Sequence, residues 1–349
     1  MDKHVNISIT TGTILKVALI AAALWAVIYL KGLVLVVLTA IVIASAIEPL
    51  AAKFARHRIP RVLAVIFTYL LFFGSLFGIF YFFLPSVLTD MAAFVGQLPG
   101  YLDAFNHAGA FDEFAHTLGL QSLPELSSDV FLAPIREYLV GASTDALSAA
   151  THLFGGVLSF ILVIVFSFYF TVAETGVDDF LRVIVPLKHQ EYAVGLWKRA
   201  QHKIGLWMQG QLLLGVIMGV LVYLGLTIIG VKYALVFAVL AAICEIIPVF
   251  GPVLAAIPAV LVAFVDGGLG LGGLTIALYV IFQQFENHLI YPLVVTKIVG
   301  VPPLLVILAL LAGAELAGFW GILLSVPVAA IIQELVRDLH KSRRSEAGK

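Results

Sequence analysis

Charge is scarce in this sequence. Asp, Glu, Lys and Arg make up 12% of its 349 residues, about half of what a soluble domain carries, so there are too few charges to cover a water-facing surface. Cysteine is nearly absent. The one thiol, Cys244, lies inside an apolar run, which excludes an intrachain disulfide and a cysteine metal cluster. The sequence also lacks H-E-x-x-H, G-x-x-x-x-G-K-[ST], C-x-x-C and G-x-S-x-G patterns, so zinc hydrolysis, a phosphate loop, a dithiol redox pair and a serine nucleophile elbow have no foothold. No cofactor, no resident metal and no nucleic-acid partner are expected, and the chain is not read as an enzyme.

What is present is apolar length. Hydrophobic residues make up 62% of the chain, and a bilayer core about 30 Å thick needs roughly 20 of them in a helix. Apolar runs fall at Thr13–Leu30, Leu33–Ile47, Val62–Leu84, Leu153–Val172, Ile204–Ile229, Tyr233–Val265, Leu269–Phe285 and Leu304–Val336. Lys31-Gly32 separates the first two, and the second is short for a clean crossing. The first run resembles a signal peptide, with Lys3 and Lys16 ahead of Ala21-Ala22-Ala23, but it continues to Leu30 and is read as a retained span. The fold class predicted is an all-α polytopic membrane protein with about eight hydrophobic segments.

Basic residues set the orientation. Lys53, Arg56, Arg58 and Arg61 follow the second run. Arg182, Lys188, Lys198, Arg199 and Lys203 follow the fourth, and Arg337, Lys341, Arg343, Arg344 and Lys349 fill the tail. These segments are expected to be cytoplasmic, with both termini inside. Residues 85–150 have the opposite character: eight acids from Asp90 to Asp145 against the single base Arg136. They are predicted to form a small helical extracytoplasmic domain. Its stripe of Val87, Leu88, Met91, Phe94, Val95 and Leu98 has helical spacing, with an end at Pro99-Gly100 and a second helix capped by Ser127 or Ser128 that runs on into the fourth span. The acidic face is first of all a solvated face.

The organisation predicted is therefore residues 1–84 as N-terminal membrane segments, 85–150 as the outer domain, 151–172 as the fourth span, 173–203 as a basic cytoplasmic segment, 204–336 as a C-terminal core with interrupted helices, and 337–349 as a basic tail. Interruption is the feature of that core. Tyr233–Val265 is too long for one ordinary span and holds Pro248-Val249-Phe250-Gly251-Pro252 at its middle. Proline removes a backbone donor and clashes with the preceding turn. Leu304–Val336 is interrupted by Gly313, Gly318 and Gly321, and Pro327 follows. Each segment is expected to break, forming a re-entrant helical hairpin; two hairpins and four full spans both leave the tail inside. Freed backbone groups are tolerated at membrane depth only where they line protein or water, and paired interrupted segments mark substrate sites in secondary transporters. A proline kink with no ligand is the plain alternative.

Three carboxyls lie in these apolar segments: Glu245 just before Pro248, Glu286 within Gln283-Gln284-Phe285-Glu286-Asn287-His288, and Glu315 in the glycine-rich break. Intramembrane acids are costly and point to function. A buried carboxyl can carry a proton, and carboxylates with amide oxygens can hold a hard cation such as sodium. The candidate ion or solute ligands are Glu286, Asn287, Glu245, Glu315, Gln283 and Gln284. The candidate break or hinge positions are Pro248, Gly251, Pro252, Pro292, Gly313, Gly318, Gly321 and Pro327. Interfacial or capping acids, and amides paired between helices, are the structural alternatives. Gly74-Ser-Leu-Phe-Gly78 and Gly215-Val-Ile-Met-Gly219 match the small-xxx-small pattern of close helix packing.

Several short patterns carry a family resemblance: Gly210-Gln211, Gly230-Val231 before Tyr233-Ala234-Leu235, Ile247-Pro248-Val249-Phe250-Gly251-Pro252 with Pro258, Glu286-Asn287 followed by Pro292, and Gly313, Gly318, Gly321 and Pro327. In this order and spacing they resemble the autoinducer-2 exporter family, the PerM-like permeases, over nearly the whole chain. Asp266 and the Gly267–Gly273 stretch depart from the pattern. The resemblance implies a multi-pass protein of a prokaryotic cytoplasmic (inner) membrane, a soluble domain between the third and fourth segments, and a homo-oligomer. It also implies export of a small solute or antiport of sodium and protons. A non-transporting scaffold that binds partners through the outer domain is the competing reading. Embedded glutamates and broken helices favour transport, because a scaffold needs neither.

Overall fold

The computed structural model describes residues 28–108, 146–173, 175–248, 250–290 and 302–347, with scattered positions from 12 to 26. Among the described residues there is no strand. The elements are α1 (Lys31–Ala55), α2 (Arg61–Ala108), α3 (Ala146–Val172), α4 (Gly176–Ile184), α5 (Gln190–Ile229), α6 (Ala234–Cys244), α7 (Phe250–Phe285) with a wider turn at Glu286–Ile290, and α8 (Pro303–Ala347). Among the described residues seven helical stretches are long and apolar enough to cross a membrane, and Ala234–Cys244 is an apolar helix too short to do so. The all-α polytopic reading holds. Most of the first predicted run, Ser127, Ser128 and Pro292 lie outside the described residues.

Several boundaries differ from the sequence reading. The second run is no short segment: α1 has 25 residues and passes through Pro49, about 37 Å of helix. The break expected at Lys31-Gly32 is shallow, since the Leu30 N–H donates to the Ala26 carbonyl at 2.8 Å and the Val34 N–H to the Leu30 carbonyl at 3.0 Å. The predicted end at Pro99-Gly100 is absent. The third span and the apolar stripe after it form one 48-residue helix with Pro85 and Pro99 inside. A proline removes one hydrogen bond from the ladder, and the ladder resumes on either side of each. Helix α3 starts at Ala146, upstream of the fourth apolar run. The basic segment 173–203 is not a separate unit either, because its second half is the start of the 40-residue α5.

Helices α1, α2 and α3 are tied at one end. Arg61 donates to both Glu48 carboxylate oxygens at 2.7 and 2.9 Å and to the Thr171 carbonyl at 2.7 Å. Nearby, the Tyr69 hydroxyl donates to Ser167 Oγ at 2.9 Å. A second polar cluster closes the same end of α5 and α8. Buried Glu334 accepts from Lys203, from Arg199 at 3.3 Å and from Arg337 at 3.4 Å, while Arg199 also reaches Asp338. Exposed Lys198 pairs with Asp178 of α4 at 3.1 Å.

From that cluster α5 runs to Gly230, a left-handed cap. The chain returns through α6 to Glu245, turns, and climbs again in the first part of α7. At Gly268 (φ 61°, ψ −156°) it folds back once more. The fold-back shows in the packing, because Gly272 sits against the Phe264 ring although eight residues of straight helix would separate them by about 12 Å. Asp266, beside this turn, accepts from Lys232 at 3.2 Å and from Tyr101 at 3.3 Å, so the turn is level with the end of α5. Thus α6 and the first part of α7 form a hairpin that enters from the Lys232–Asp266 level and turns between Glu245 and Phe250. The interruption predicted at Pro248–Pro252 is present, but α7 restarts at Phe250. Pro252 therefore sits in a first helical turn, where proline's missing N–H costs nothing.

Helix α8 makes the second hairpin. Ala317 (φ −146°) and Gly318 (φ 57°, ψ −135°) break it, and the backbones at Gly313 and Gly321 touch so closely that a Cβ on either would overlap the other's carbonyl. Only glycine pairs allow that approach, and Gly318's conformation is essentially restricted to glycine. Pro327, a predicted break, lies buried inside the continuous second limb; the turn is made nine residues earlier, at Gly318. Counting back from Glu334 to Gly318 gives 16 residues, about 24 Å, so this hairpin enters from the charged-cluster end. Ile246 of the first turn and Phe319 and Trp320 of the second line one cavity. The two turns therefore approach each other from opposite ends of the helix bundle.

The core follows from these crossings. Small residues let α5 meet its neighbours closely: Gly205 abuts the Ser45 carbonyl of α1, and Gly215 and Gly219 abut Ala242 of α6. The packing read from Gly215-Val-Ile-Met-Gly219 is present, whereas Gly74 and Gly78 face open space. Around these contacts Leu226, Phe237 and Val262 are fully buried in one apolar cluster, and Ile204, Trp207 and Leu310 are buried in another.

Candidate functional site

The first hairpin's turn carries Glu245, and the end of α7 carries Glu286. Three consecutive reversals bring these two ends together. Helix α6 delivers Glu245 after 11 residues, and the limb after Gly268 delivers Glu286 after 17, so both stop part-way along α5. Glu245 is 1% exposed and Glu286 3%, and the two carboxyl groups lie close enough to interact. Two bare carboxylates so close in a low-dielectric interior would repel strongly. The pair is thus two buried acids set side by side, away from water.

The surroundings are rich in acceptors. Gln211 of α5, 2% exposed, donates its Nε2–H to the backbone carbonyl of Glu245. That carbonyl belongs to the broken turn. Gln283 donates to Glu286 Oε2 at 3.2 Å and to Asn287 Oδ1 at 3.4 Å. Three buried oxygens in this part of the bundle have no hydrogen-bond partner among the described residues: Glu245 Oε2, Gln211 Oε1 and the Tyr279 hydroxyl. An unsatisfied buried polar group costs about 1–3 kcal/mol, and most such groups in folded proteins are paired. Two of the three are acceptors on neighbouring residues, which suits a proton, a water or a small cation better than an anion.

The turn itself is held by backbone bonds. The Ile247 N–H donates to the Cys244 carbonyl at 2.9 Å, and the Gly251 N–H to the Ile247 carbonyl at 2.8 Å. Gly251 lies against the Cys244 carbonyl with no room for a Cβ, and Pro248 and Pro252 are buried beside it. These three predicted hinge positions therefore shape the turn that presents Glu245.

The other predicted ligands divide. Gln283 reaches the pair, and Asn287, exposed, touches it through Gln283. Gln284 is exposed, and its carbonyl lies 3.0 Å from His288 Nδ1. Glu315 is exposed on the first limb of the second hairpin, and no hydrogen bond joins it to Glu245 or Glu286. The sequence reading omitted Gln211 and Tyr279 as site residues. A glutamine in the long apolar stretch of α5, where Gln209 is the other one, was the available signal for the first; a tyrosine in an apolar run gives none. Among the described residues no group of three His, Cys, Asp or Glu side chains is placed to hold a metal.

With this geometry established, comparison with known proteins identifies the lineage. The model of the AI-2E family transporters matches residues 14–341. The chain belongs to the AI-2E transporter family. Among relatives, the "Putative transport protein YueF" of Bacillus subtilis is 26% identical over 311 residues, covering 85% of this chain and 84% of that protein. The "Putative transport protein MT0215" of Mycobacterium tuberculosis is 26% identical over 324 residues, covering 92% and 87%. The "Putative permease PerM" of Escherichia coli is 24% identical over 254 residues, covering 72% and 68%. Membership in the AI-2E family makes this a multi-pass membrane transporter, and the buried carboxyl pair lies well inside the matched region.

Proposed function

We propose that this AI-2E family member is a secondary transporter, not an enzyme, that couples proton movement at Glu245–Glu286 to the passage of a cation or a small solute. It works as a homo-oligomer in a prokaryotic inner membrane, with both termini cytoplasmic. The observation that carries the reading is the buried, adjoining carboxyl pair at the turn of a broken helix, with unpartnered acceptors on Glu245 and Gln211. Buried acids cost too much to keep without a use. Here the proton held between them is the natural exchange partner for a sodium-sized cation, which would take the same oxygens. Loss of the proton leaves negative charge that a cation neutralises; return of the proton releases it.

The test is proton flux in proteoliposomes loaded with a pH-sensitive dye and pulsed with sodium, lithium or potassium. Wild type is expected to move protons in response to at least one cation, and Glu286→Gln is expected not to. If wild type moves no protons under any cation, the exchange reading falls and uncoupled export of a small solute takes its place. If Glu286→Gln retains full flux, the pair is not the coupling site.

A further inference from the structure

A cavity of about 890 Å³ lies among α1, α2, α3, α5 and the second hairpin's turn, and the carboxyl pair makes no use of it. Its walls are apolar, set by residues such as Val42, Phe72, Phe160, Val163 and Leu323. The hydroxyls that line it and one amide N–H are already engaged. The Thr39 and Thr68 hydroxyls donate to the Leu35 and Ala64 carbonyls at 2.8 and 2.7 Å, and Gln209 Nε2 donates to the Ala46 carbonyl at 2.5 Å. Apart from the Trp320 indole N–H and the Gln209 amide oxygen, such walls offer little to a polar solute, and the volume is that of a small-molecule site.

One lining residue is charged. Lys53, exposed at the mouth, makes no ion pair with a described residue, and neither do Arg56 and Arg58, which follow it. The mouth is therefore cationic and the interior dry. Depth adds a second constraint. From Lys53 to Thr39 the cavity follows α1 for 14 residues, about 21 Å. On α2 it reaches Leu76, 15 residues from Arg61, and on α3 it reaches Gly156, 15 residues from Thr171. Arg61 bonds the Thr171 carbonyl, so those two counts start from one level and give the same depth of about 22 Å. One leaflet with its headgroup layer is about 20–22 Å thick. The cavity thus runs one leaflet deep, with free positive charge at headgroup level.

We infer that this cavity is a binding site for an anionic membrane phospholipid, its acyl chain between α1, α2 and α3 and its phosphate on Lys53. Basic pockets between helices on the cytoplasmic side of a membrane attract such headgroups. The occupant is a bound lipid and not the transported solute, and the inference stands whether or not the carboxyl pair carries protons. Because Ile246, Phe319 and Trp320 line the far end, the chain tip rests against both hairpin turns.

Trp320 makes the site readable. The full-length protein is placed in phosphatidylcholine vesicles containing, at equal mole fraction, either brominated phosphatidylglycerol or brominated phosphatidylcholine, and tryptophan quenching is measured. The part lost in Trp320→Phe belongs to the cavity. Brominated phosphatidylglycerol is expected to quench that part about fivefold more effectively, the preference one basic residue contributes at an anionic surface. Lys53→Ser should remove the preference. Gly156→Leu, whose new side chain enters open space in the cavity, should lower quenching by both lipids while circular dichroism stays unchanged. Equal quenching by the two lipids in wild type, a preference that survives Lys53→Ser, or quenching that Gly156→Leu leaves intact would each overturn the assignment.

Discussion

The two hairpins of this transporter share a plan and differ in what they place at the turn. The first, α6 with the start of α7, presents Glu245 at 1% exposure, beside Glu286 and flanked by Gln211. The second, within α8, presents Gly313 and Gly321 in backbone contact on either side of the bend at Gly318, with Phe319 and Trp320 toward an apolar cavity and Glu315 exposed. One turn is organised by chemistry, the other by close approach. A helix can be broken at membrane depth either way, because both solutions keep freed backbone groups against protein. Of the two, the first leaves acceptor oxygens without partners, which is why the proposed ion site is placed there.

The sharpest way to break this contrast is at the acids. Glu286→Gln removes the carboxylate that shares the proton, and removing one partner of a buried hydrogen bond costs about 1–3 kcal/mol. Cation-triggered proton flux in liposomes should fall by about tenfold or more. Next in size is Gly313→Val, which forces a side chain into the Gly321 carbonyl. Overpacking of this kind costs about 1–3 kcal/mol, and the variant should show a lower melting midpoint in detergent by tryptophan fluorescence, with flux per folded molecule retained. If flux disappears while the melting midpoint stays put, the second turn has a chemical role after all.

A smaller effect is expected outside both turns. Glu334→Gln weakens the cluster with Arg199, Lys203 and Arg337, whose side chains are partly open to solvent. Discounted for that exposure the loss is about 1 kcal/mol, visible as a modest drop in thermal stability that added salt makes smaller. Last comes Glu315→Gln, for which no change in proton flux is expected. A loss comparable to that of Glu286→Gln would place Glu315 in the ion path and erase the distinction between the hairpins.

Much of this was legible in the residues themselves. Apolar runs of 15 to 33 residues and a 12% charge content left helices in lipid as the solution. Pro248 to Pro252 and Gly313 to Gly321 marked both interruptions, because missing donors and missing side chains act locally. Proline alone misled. Pro99 and Pro327 carry the same chemical defect as Pro248, yet the helix continues through both. Whether a ladder resumes after one lost bond depends on what the flanking turns pack against, and that is not written in the dipeptide.

Sequence determined that this chain is a bundle of membrane helices with two breaks and three embedded acids, since hydrophobic length, backbone chemistry and the cost of intramembrane charge are properties of the residues. Tertiary structure decided which acids belong together. Glu245 and Glu286 are 41 positions apart and meet only because the chain reverses between Glu245 and Phe250 and again at Gly268. Glu315, similar in composition of surroundings, is left outside because its hairpin enters from the other end. Pairing between distant carboxyls is fixed by limb lengths and fold-back angles, quantities that arise from packing across helices and not from any one of them.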